Sequence, residues 1–335
     1  MVNENNVIRF AKYDDIPQIM LFIKTYWSSN HILANNRNFF EYQYVNNKEV
    51  HFVLAENNQN EIYGVLGFIP YDSDECKERD IFLALWKVRQ GEHFLAGIDM
   101  LHYLEREGRC RNTYCVRINR QTFAIYKYMK KNIAKLEHYY MLNTLCKNYH
   151  IAEVKKKSEI TCLEVFYEVN DITSVEQLDI QEINNEEFEG PYKSINYIRK
   201  RYFEHPVYVY RIFEIRTAEG IAYVVGREQE YNGARVFRIV ELWGKECNIA
   251  NIGTFLKRIM IENEYEYIDC YEYGISDACL EKCGLVKLLE NDENIIPNYF
   301  EPFEKKNIDI YIFTPKGIKT RMFKGDGDQD RPSFW

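Results

Sequence analysis

The sequence predicts a protein of the α/β class in its α+β form, with two tandem domains that each contain a mixed, mostly antiparallel sheet flanked by helices. The chain has 335 residues, which at roughly 100–200 residues per domain suggests about two domains. Hydrophobic residues make up 46% and charged residues 28%, the balance of an ordinary globular protein. The order strand–strand–strand–helix–strand–helix–strand occurs once in each half, which indicates a repeat of the fold rather than of the sequence.

In the first half, short alternating runs predict strands, and apolar residues at every third or fourth position predict helices. Asp14 or Asp15 is expected to begin the first helix, because a short acidic side chain caps its unpaired amides. A turn at 57–60 joins two strands as a hairpin. The predicted elements are strand 7–11, helices 14–27 and 38–45, strands 50–56, 61–70 and 80–88, helix 94–107, strand 113–118, helix 120–131 and strand 135–142.

A segment rich in Lys, Glu and Ser at 147–161 is expected to be a solvated linker, which gives domains at 1–146 and 162–335. Turns at 217–220 and 231–234 predict two hairpins among three successive strands. The Gly- and Asp-rich tail 324–335 is expected to be a loop. The predicted elements of the second domain are helix 194–202, strands 208–216, 220–229 and 235–243, helix 248–263, strand 267–273, helix 277–283 and strand 309–313.

The composition argues against several classes of protein. The formal net charge is −8, whereas nucleic-acid binders usually carry a basic footprint. No run approaches the ~18–20 apolar residues of a membrane span, and the first residues lack a secretory signal. Nine scattered cysteines fit reduced thiols, and no Cys/His spacing typical of a metal site appears. We expect a cytoplasmic protein that binds no nucleic acid, membrane or metal.

A strand, a loop containing glycine and a helix follow one another at 80–107, and the loop reads RQGEHFLAG. Glycine allows a ligand to approach the backbone, and the amides of a helix N-terminus attract phosphate. The next strand ends near Asn119, and Tyr126 follows seven residues later on a helix. In the order of these elements and in these residues, the first half resembles the GCN5-related N-acetyltransferase superfamily.

The resemblance implies that the first domain binds an acyl-CoA, either acetyl-CoA or 3-hydroxybutyryl-CoA. In that superfamily the strand before the main helix pairs with the pantetheine arm, and the loop amides bind the pyrophosphate. Asn119 and Tyr126 match two positions near the thioester, and the tyrosine is often the acid that protonates the leaving thiolate. Simple structural roles, a helix cap for Asn119 and core packing for Tyr126, stay open. The implied cofactor-binding residues are Trp86, Val88, Gly91, Leu95 and Gly97.

Three segments of the second half, YIRKRYFEHP at 197–206, IPNYFEPF at 296–303 and GDGDQDRP at 325–332, resemble two-domain N-acyltransferases of bacterial surface-polysaccharide clusters. Those enzymes acylate the amine of a nucleotide-linked amino-deoxy sugar, which implies a dTDP- or UDP-linked amino-dideoxyhexose here. Arginine suits a diphosphate, aromatic rings stack on a base, and carboxylates or amides bind sugar hydroxyls. A solvated helix face and a packed loop are the structural alternatives. The candidate substrate-binding residues are Arg199, Arg201, Tyr202, Asn298, Tyr299, Phe300, Glu301, Asp328, Asp330 and Arg331.

Acyl transfer to an amine requires a neutral amine, a polarised thioester carbonyl and an acid for the leaving thiolate. The candidates for the general base are His205, Glu272 and Asp269, which lies on the strand equivalent to the one that ends at Asn119, and Asp269 and His205 are favoured. A structural role for His205 stays open. The predicted reaction is direct N-acyl transfer from acyl-CoA to the amino sugar in a ternary complex, and the sequence allows a homodimer.

Two alternatives to this function stay open. A transferase of the same fold that acts on a peptide or aminoacyl amine predicts no nucleotide binding by the second half. A non-catalytic ligand-binding module predicts no release of thiol with any amine.

Overall fold

A computed structural model describes residues 7–72, 76–92, 95–157 and 161–327. The chain divides into two compact units, Met1–Val116 and Arg117–Asp330. The boundary expected from the sequence lies later, at 146/147. The two positions differ because the strand predicted at 135–142 pairs with strands of the second unit, as described below.

The first unit is a mainly antiparallel sheet with one parallel pair at its end. Its strands are β1 (Val7–Ala11), β2 (Val45–Asn46), β3 (Glu49–Glu56), β4 (Ile62–Pro70), β5 (Arg79–Val88) and β6 (Cys110–Val116), in the order β1–β3–β4–β5–β6 with β2 on β3. Its helices are α1 (Ile16–Tyr26), α2 (Ile32–Asn35), α3 (Arg37–Tyr44) and α4 (Ala96–Glu107). The pair β5–β6 is parallel, and α4 connects the two strands.

The core of the first unit follows from the helical spacing of its apolar residues. Ile16, Ile19 and Ile23 are fully buried on one face of α1, as the period of 3.6 residues requires. The rings of Phe40 and Phe52 stack at 5.3 Å between α3 and β3. These contacts hold one layer of helices against the sheet. The carboxyl end of β5 leads into α4.

The second unit contains a longer sheet of the same design. Its strands are β7 (Asn132–Leu142), β8 (Glu168–Asp171), β9 (Arg211–Thr217), β10 (Gly220–Tyr231), β11 (Ala234–Trp243), β12 (Tyr267–Tyr273), β13 (Val286–Lys287), β14 (Tyr299–Phe300), β15 (Phe303–Glu304), β16 (Ile310–Thr314) and β17 (Met322–Phe323). Its helices are α5 (Phe123–Tyr128), α6 (Ile180–Ile183), α7 (Ile195–Ile198), α8 (Glu246–Ile249), α9 (Gly253–Glu262) and α10 (Asp277–Lys282), and a π-helical turn at Arg199–Phe203 follows α7.

The main sheet of the second unit has the order β8–β9–β10–β11–β12–β7–β16, with β13 on β7, β17 on β12 and a separate hairpin β14–β15. Strands β11 and β12 are parallel, and their connection carries α8 and α9. An apolar core packs α9 on one face, where Phe255, Leu256 and Ile268 are fully buried. Both units thus place a helix between the two strands of a parallel pair.

Three predicted segments differ in the structure. The predicted linker is docked on the second unit: the amides of Ile151 and Ala152 donate to the Glu266 carboxylate at 3.0 and 3.2 Å. The single helix predicted at 248–263 is interrupted between α8 and α9. The predicted tail loop begins inside the core, because Lys324–Gly327 follow β17 and remain buried.

In the four ranges that the structure describes, no helix combines the length and the apolar character needed to cross a membrane. The same ranges contain no group of three or more His, Cys, Asp or Glu side chains placed to hold a metal ion.

Candidate active site

The parallel pair of the first unit separates toward its carboxyl end. Residues 80–82 of β5 pair with residues 112–114 of β6, and the ladder then ends. Cys115 Sγ still donates to the Leu83 carbonyl at 3.1 Å. Beyond this point β5 runs on to Val88, and the described strands pair with it only on its β4 side. We call the edge of β5 at Leu83–Val88, beyond the end of its ladder with β6, together with the end of β6 at Cys115–Val116, the first cleft. A strand edge of this kind suits an extended ligand that contains amides.

The predicted cofactor-binding residues lie where β5 passes into α4. The Trp86 indole packs against Gly97, since a Cβ on Gly97 would stand 3.1 Å from the ring. Gly91 has φ +90°, a conformation that favours glycine. Val88 is half-buried, and the exposed Leu95 precedes α4 without a capping side-chain bond. The first amides of a 12-residue helix attract an anion through their N–H groups and the helix dipole, and Asp99 in the first turn of α4 opposes this attraction.

An ion pair closes the same loop. Arg89 Nε donates to the Glu92 carboxylate at 2.8 Å. The hydrogen bond with Glu92 raises the pKa of Arg89, so the guanidinium stays charged. The pair offsets the negative charge that Glu92 brings to the N-terminal side of α4, and Arg89 adds donors suited to phosphate oxygens.

Asn119 and Tyr126, the residues predicted to lie near the thioester, belong to the second unit. The Asn119 side chain accepts from the Gln121 amide at 2.9 Å and caps the turn before α5. Tyr126 is 4% exposed, and its ring lies 4.5 Å from that of Phe313. Both residues thus make the structural contacts that the sequence left open, and their catalytic roles stay predictions.

A buried ionic centre lies on β7, β11 and β12 of the second unit. Arg238 donates to both carboxylate oxygens of Asp269, at 2.9 and 2.6 Å, and Nε2 of His138 lies 3.0 Å from the same carboxylate. The remaining Arg238 donor groups bind the carbonyls of Pro297 and Asn298 at 2.9 and 2.7 Å. Asp269, a predicted base, and Asn298, a predicted substrate ligand, are therefore parts of one buried network.

The charges of this centre follow from its contacts. Burial raises the pKa of Asp269, but the Arg238 charge and the hydrogen bonds from His138 and Arg238 outweigh burial and hold it at about 2. Burial lowers the pKa of His138 below its ordinary value in spite of Asp269. A neutral His138 donates from Nε2 to Asp269, which leaves Nδ1 as the acceptor. Among the described residues neither His138 Nδ1 nor the Tyr271 hydroxyl, whose ring stacks on His138 at 3.8 Å, has a hydrogen-bond partner.

The structure places Arg201 and Tyr202, two predicted substrate ligands, inside the second unit. Arg201 Nε donates to the Gly325 carbonyl at 3.1 Å, and the Tyr202 hydroxyl donates to Glu241 at 2.6 Å. Glu241 also accepts from Lys193 at 2.6 Å. All of these side chains are buried, so Arg201 binds the protein's own backbone in this conformation.

The loop that is predicted to bind the nucleobase of the substrate also contacts other parts of its own chain. The Tyr299 hydroxyl accepts from Arg117, and the Arg238 guanidinium lies 5.4 Å from the centre of the Phe300 ring. Glu301 accepts from the Tyr208 hydroxyl at 3.0 Å. Since Tyr299, Phe300 and Glu301 remain partly exposed, each retains a face that can contact a ligand.

Arg199 and His205 make their contacts outside the ionic centre. Arg199 is on the surface and pairs with Glu176 at 3.0 Å. His205 Nδ1 accepts the amides of Val207 and Tyr208 at 3.2 and 2.9 Å, so this lone pair shapes a turn. The predicted substrate ligands Asp328, Asp330 and Arg331 lie outside the described residues.

Sequence reasoning missed Arg238, His138, Lys193 and Glu241. Each stands in or beside a segment whose apolar pattern was read correctly, and each is a charged or polar residue at a position that the fold buries. A buried charge must be paired, and a charged or polar residue within a predicted strand is the signal that was present for Arg238, His138 and Glu241, whereas Lys193 lies in no predicted strand. The partners are far apart in sequence, so the pattern does not identify them.

No protein-family model and no curated protein matches the sequence. Solved structures match the fold. A GCN5-related N-acetyltransferase from Anabaena variabilis superposes with a TM-score of 0.57, covering 92% of this chain and 72% of that one at 9% identity. A conserved protein from Enterococcus faecalis, described as a probable N-acyltransferase, gives a TM-score of 0.57 over 93% and 72% at 8% identity. The predicted fold class, with its acetyltransferase-like architecture, is confirmed by this likeness.

Proposed function

We propose that the protein is an N-acyltransferase that uses acyl-CoA, with the cofactor in the first cleft. The observation that supports this most strongly is the parallel pair β5–β6, whose ladder ends at Phe82 and whose strand β5 leads through a glycine-containing loop toward the start of α4. An extended strand edge suits the amides of pantetheine, and the helix end with Arg89 suits the pyrophosphate.

The proposed reaction is direct transfer of the acyl group to an amine. The neutral nitrogen attacks the thioester carbonyl carbon, the carbon–sulfur bond breaks, the nitrogen loses a proton, and the thiolate of CoA gains one. Backbone amides are the groups expected to hold the carbonyl oxygen as negative charge develops. Tyr126 remains the proposed acid for the thiolate, and Asn119 the group that positions the turn before it.

The contacts of Asp269 favour a positioning role over that of a base. The pKa of its carboxyl is about 2, so the carboxylate is ionised, and it accepts hydrogen bonds from Arg238 and His138. A group with so low a pKa has little tendency to take a proton near neutral pH. Asp269 is proposed to hold His138 with its Nε2 protonated, as an orienting carboxylate does for a catalytic imidazole.

The proposed acceptor is the amine of a dTDP- or UDP-linked amino-dideoxyhexose bound by the second unit. The aromatic faces of Tyr299 and Phe300 and the exposed guanidinium of Arg199 support this, since rings stack on bases and arginine binds phosphate. A peptide or aminoacyl amine is the alternative acceptor, and it would make these rings irrelevant to turnover.

The test is a free-thiol release assay on the full chain. Acetyl-CoA and 3-hydroxybutyryl-CoA are each combined with dTDP- and UDP-amino sugars, and separately with peptide and aminoacyl amines. Release that depends on one nucleotide sugar is the expected result. Release of thiol with peptides alone would show that the acceptor is a peptide amine. No release with any amine would contradict the proposal that the protein is an acyltransferase.

A matched pair of variants separates the cofactor site from general charge effects. Arg89→Glu places a second acid at the proposed pyrophosphate site, whereas Arg106→Glu makes the same change at the other end of α4, where Arg106 pairs with Glu107 on the surface. Arg89→Glu should weaken binding of acyl-CoA by about tenfold or more. Equal effects of the two variants would contradict the proposed position of the cofactor.

A further inference from the structure

The second unit contains a gap built like the first cleft. Strands β11 and β12 pair over Phe237–Ile239 and Ile268–Cys270, and the parallel ladder ends there. Strand β11 continues to Trp243 and β12 to Tyr273. We call the gap between Val240–Trp243 and Tyr271–Tyr273 the second cleft. As in the first unit, a helix-bearing connection joins the two strands that bound it.

The second cleft is filled by the chain itself. The C-terminal segment, defined as Arg321–Gly327, enters it as β17, which pairs antiparallel with β12. The Lys324 amide donates to the Tyr271 carbonyl at 3.1 Å, and the Gly325 amide donates to the Val240 carbonyl at 3.0 Å. The segment therefore hydrogen-bonds to both strands that bound the gap.

Buried side chains fasten the segment. Lys193 Nζ lies 2.8 Å from Asp326 and 2.6 Å from Glu241, and both carboxylates are fully buried. Arg201 donates to the Gly325 carbonyl at 3.1 Å, and the Tyr197 hydroxyl accepts the Gly327 amide at 3.1 Å. Removing the segment would leave the charges of Lys193 and Arg201 without these partners, which is costly in a buried site.

At Gly325 the packing leaves no space for a ligand beside the segment. A Cβ on Gly325 would stand 2.6 Å from the Val240 carbonyl oxygen and 2.8 Å from the Tyr202 hydroxyl. Distances as short as these exclude even a methyl group at Gly325. An extended ligand could occupy the second cleft only by displacing the segment.

We infer that the C-terminal segment takes, in the second cleft, the place that the arm of acyl-CoA takes in the first, so that each chain binds one acyl-CoA. This inference rests on the proposed function. An extended peptide and the pantetheine arm present the same chemistry, a chain of amides that hydrogen-bonds to a strand edge. The second cleft is then not a second site for acyl-CoA, and the second unit is left to bind the acceptor.

Two measurements on the full chain test this inference. Calorimetric titration with acetyl-CoA should give one site per chain, and Arg89→Glu should weaken that site by about tenfold or more while Arg106→Glu leaves it unchanged. Hydrogen exchange should show the amides of Lys324 and Gly325 protected, with the same protection at saturating acetyl-CoA.

The outcomes separate the inference from the function on which it rests. Two sites per chain would overturn the inference, and so would faster exchange at Lys324 and Gly325 on adding acetyl-CoA. One site that Arg89→Glu does not weaken would overturn it as well. No binding at all, with the segment still protected, would contradict the proposed function and remove the inference with it.

Discussion

The two clefts differ in what completes their strand edges. In the first unit the β5–β6 ladder is short, and an Arg–Glu pair and the start of α4 follow β5. In the second unit the β11–β12 ladder ends in the same way, but the C-terminal segment hydrogen-bonds to both strands. One arrangement of strands is therefore completed by the chain itself in the second unit, whereas in the first unit the described strands pair with β5 beyond Phe82 only on its β4 side.

The difference shows how two similar arrangements of strands can satisfy their backbone groups in different ways. A separating parallel pair exposes backbone groups that need partners. The second unit supplies those partners from its own sequence, with Gly325 for close approach and Asp326 for the Lys193 charge. In the first unit the corresponding partners are proposed to come from the cofactor.

Lys193→Met should have the largest effect on stability. It leaves Glu241 and Asp326 buried together without their cation, and breaking a buried pair costs about 3–5 kcal/mol. Urea denaturation measures the loss. Lys245→Met, which breaks an exposed pair with Glu186, is the control and should leave the free energy of unfolding unchanged. Similar results for the two variants would show that the segment is not fastened as described.

Gly325→Ala should have the next largest effect. Its methyl group would meet the Val240 carbonyl oxygen at 2.6 Å, and overpacking of this kind costs about 1–3 kcal/mol. Ala218→Ser, which adds one atom to an exposed residue of the turn between β9 and β10, is the control. The thermal midpoint should fall for Gly325→Ala and stay unchanged for Ala218→Ser. An unchanged midpoint for Gly325→Ala would show that the close approach at Val240 does not matter.

Glu272 predicts a pH dependence for the second unit. Burial raises the pKa of this carboxyl to about 8, although the Ile275 amide and Arg321 oppose the change. Because the folded state holds the proton more tightly than the unfolded chain, with its ordinary value of 4.5, stability falls as pH rises from that value to about 8. Glu272→Gln removes this loss.

Thermal midpoints at pH 5 and pH 8 test the sign. The midpoint of Glu272→Gln relative to the parent should be higher at pH 8 than at pH 5. The exposed Glu281→Gln is the control and should show no such change. An equal difference at both pH values would mean that Glu272 is ionised in the folded protein.

The smallest effect on stability should come from Arg89→Gln in the first unit. Its pair with Glu92 is partly exposed, and such pairs contribute about 0–1 kcal/mol. The variant should therefore lose affinity for acyl-CoA with little change in the urea midpoint. A large loss of stability would make Arg89 a structural residue and weaken the contrast between the two clefts.

The sequence was sufficient to predict the elements that its local pattern defines. The strand at 7–11, the three hairpins and the strand–loop–helix at 80–107 depend on apolar periodicity and turn residues, which act over a few positions. The structure confirms the resulting fold class. The prediction was less accurate for the connection between β11 and β12, where the single predicted helix is interrupted.

The second cleft could not be predicted in the same way. The Gly- and Asp-rich composition of the tail resembles a solvated loop, and its role depends on partners distant in sequence. A glycine fits at position 325 because the Val240 carbonyl oxygen lies against it, and the carboxylate of Asp326 pairs with the ammonium group of Lys193. Asp269 was recognised as a polar residue on a core strand, but its partners Arg238 and His138 were not.

A crystal structure of the full chain with coenzyme A would test the account most directly. The account predicts the pantetheine arm along Leu83–Val88 of β5, with the pyrophosphate near Arg89 and the start of α4. It also predicts the C-terminal segment still seated between β11 and β12. Pantetheine along Val240–Trp243 with Arg321–Gly327 displaced would contradict it.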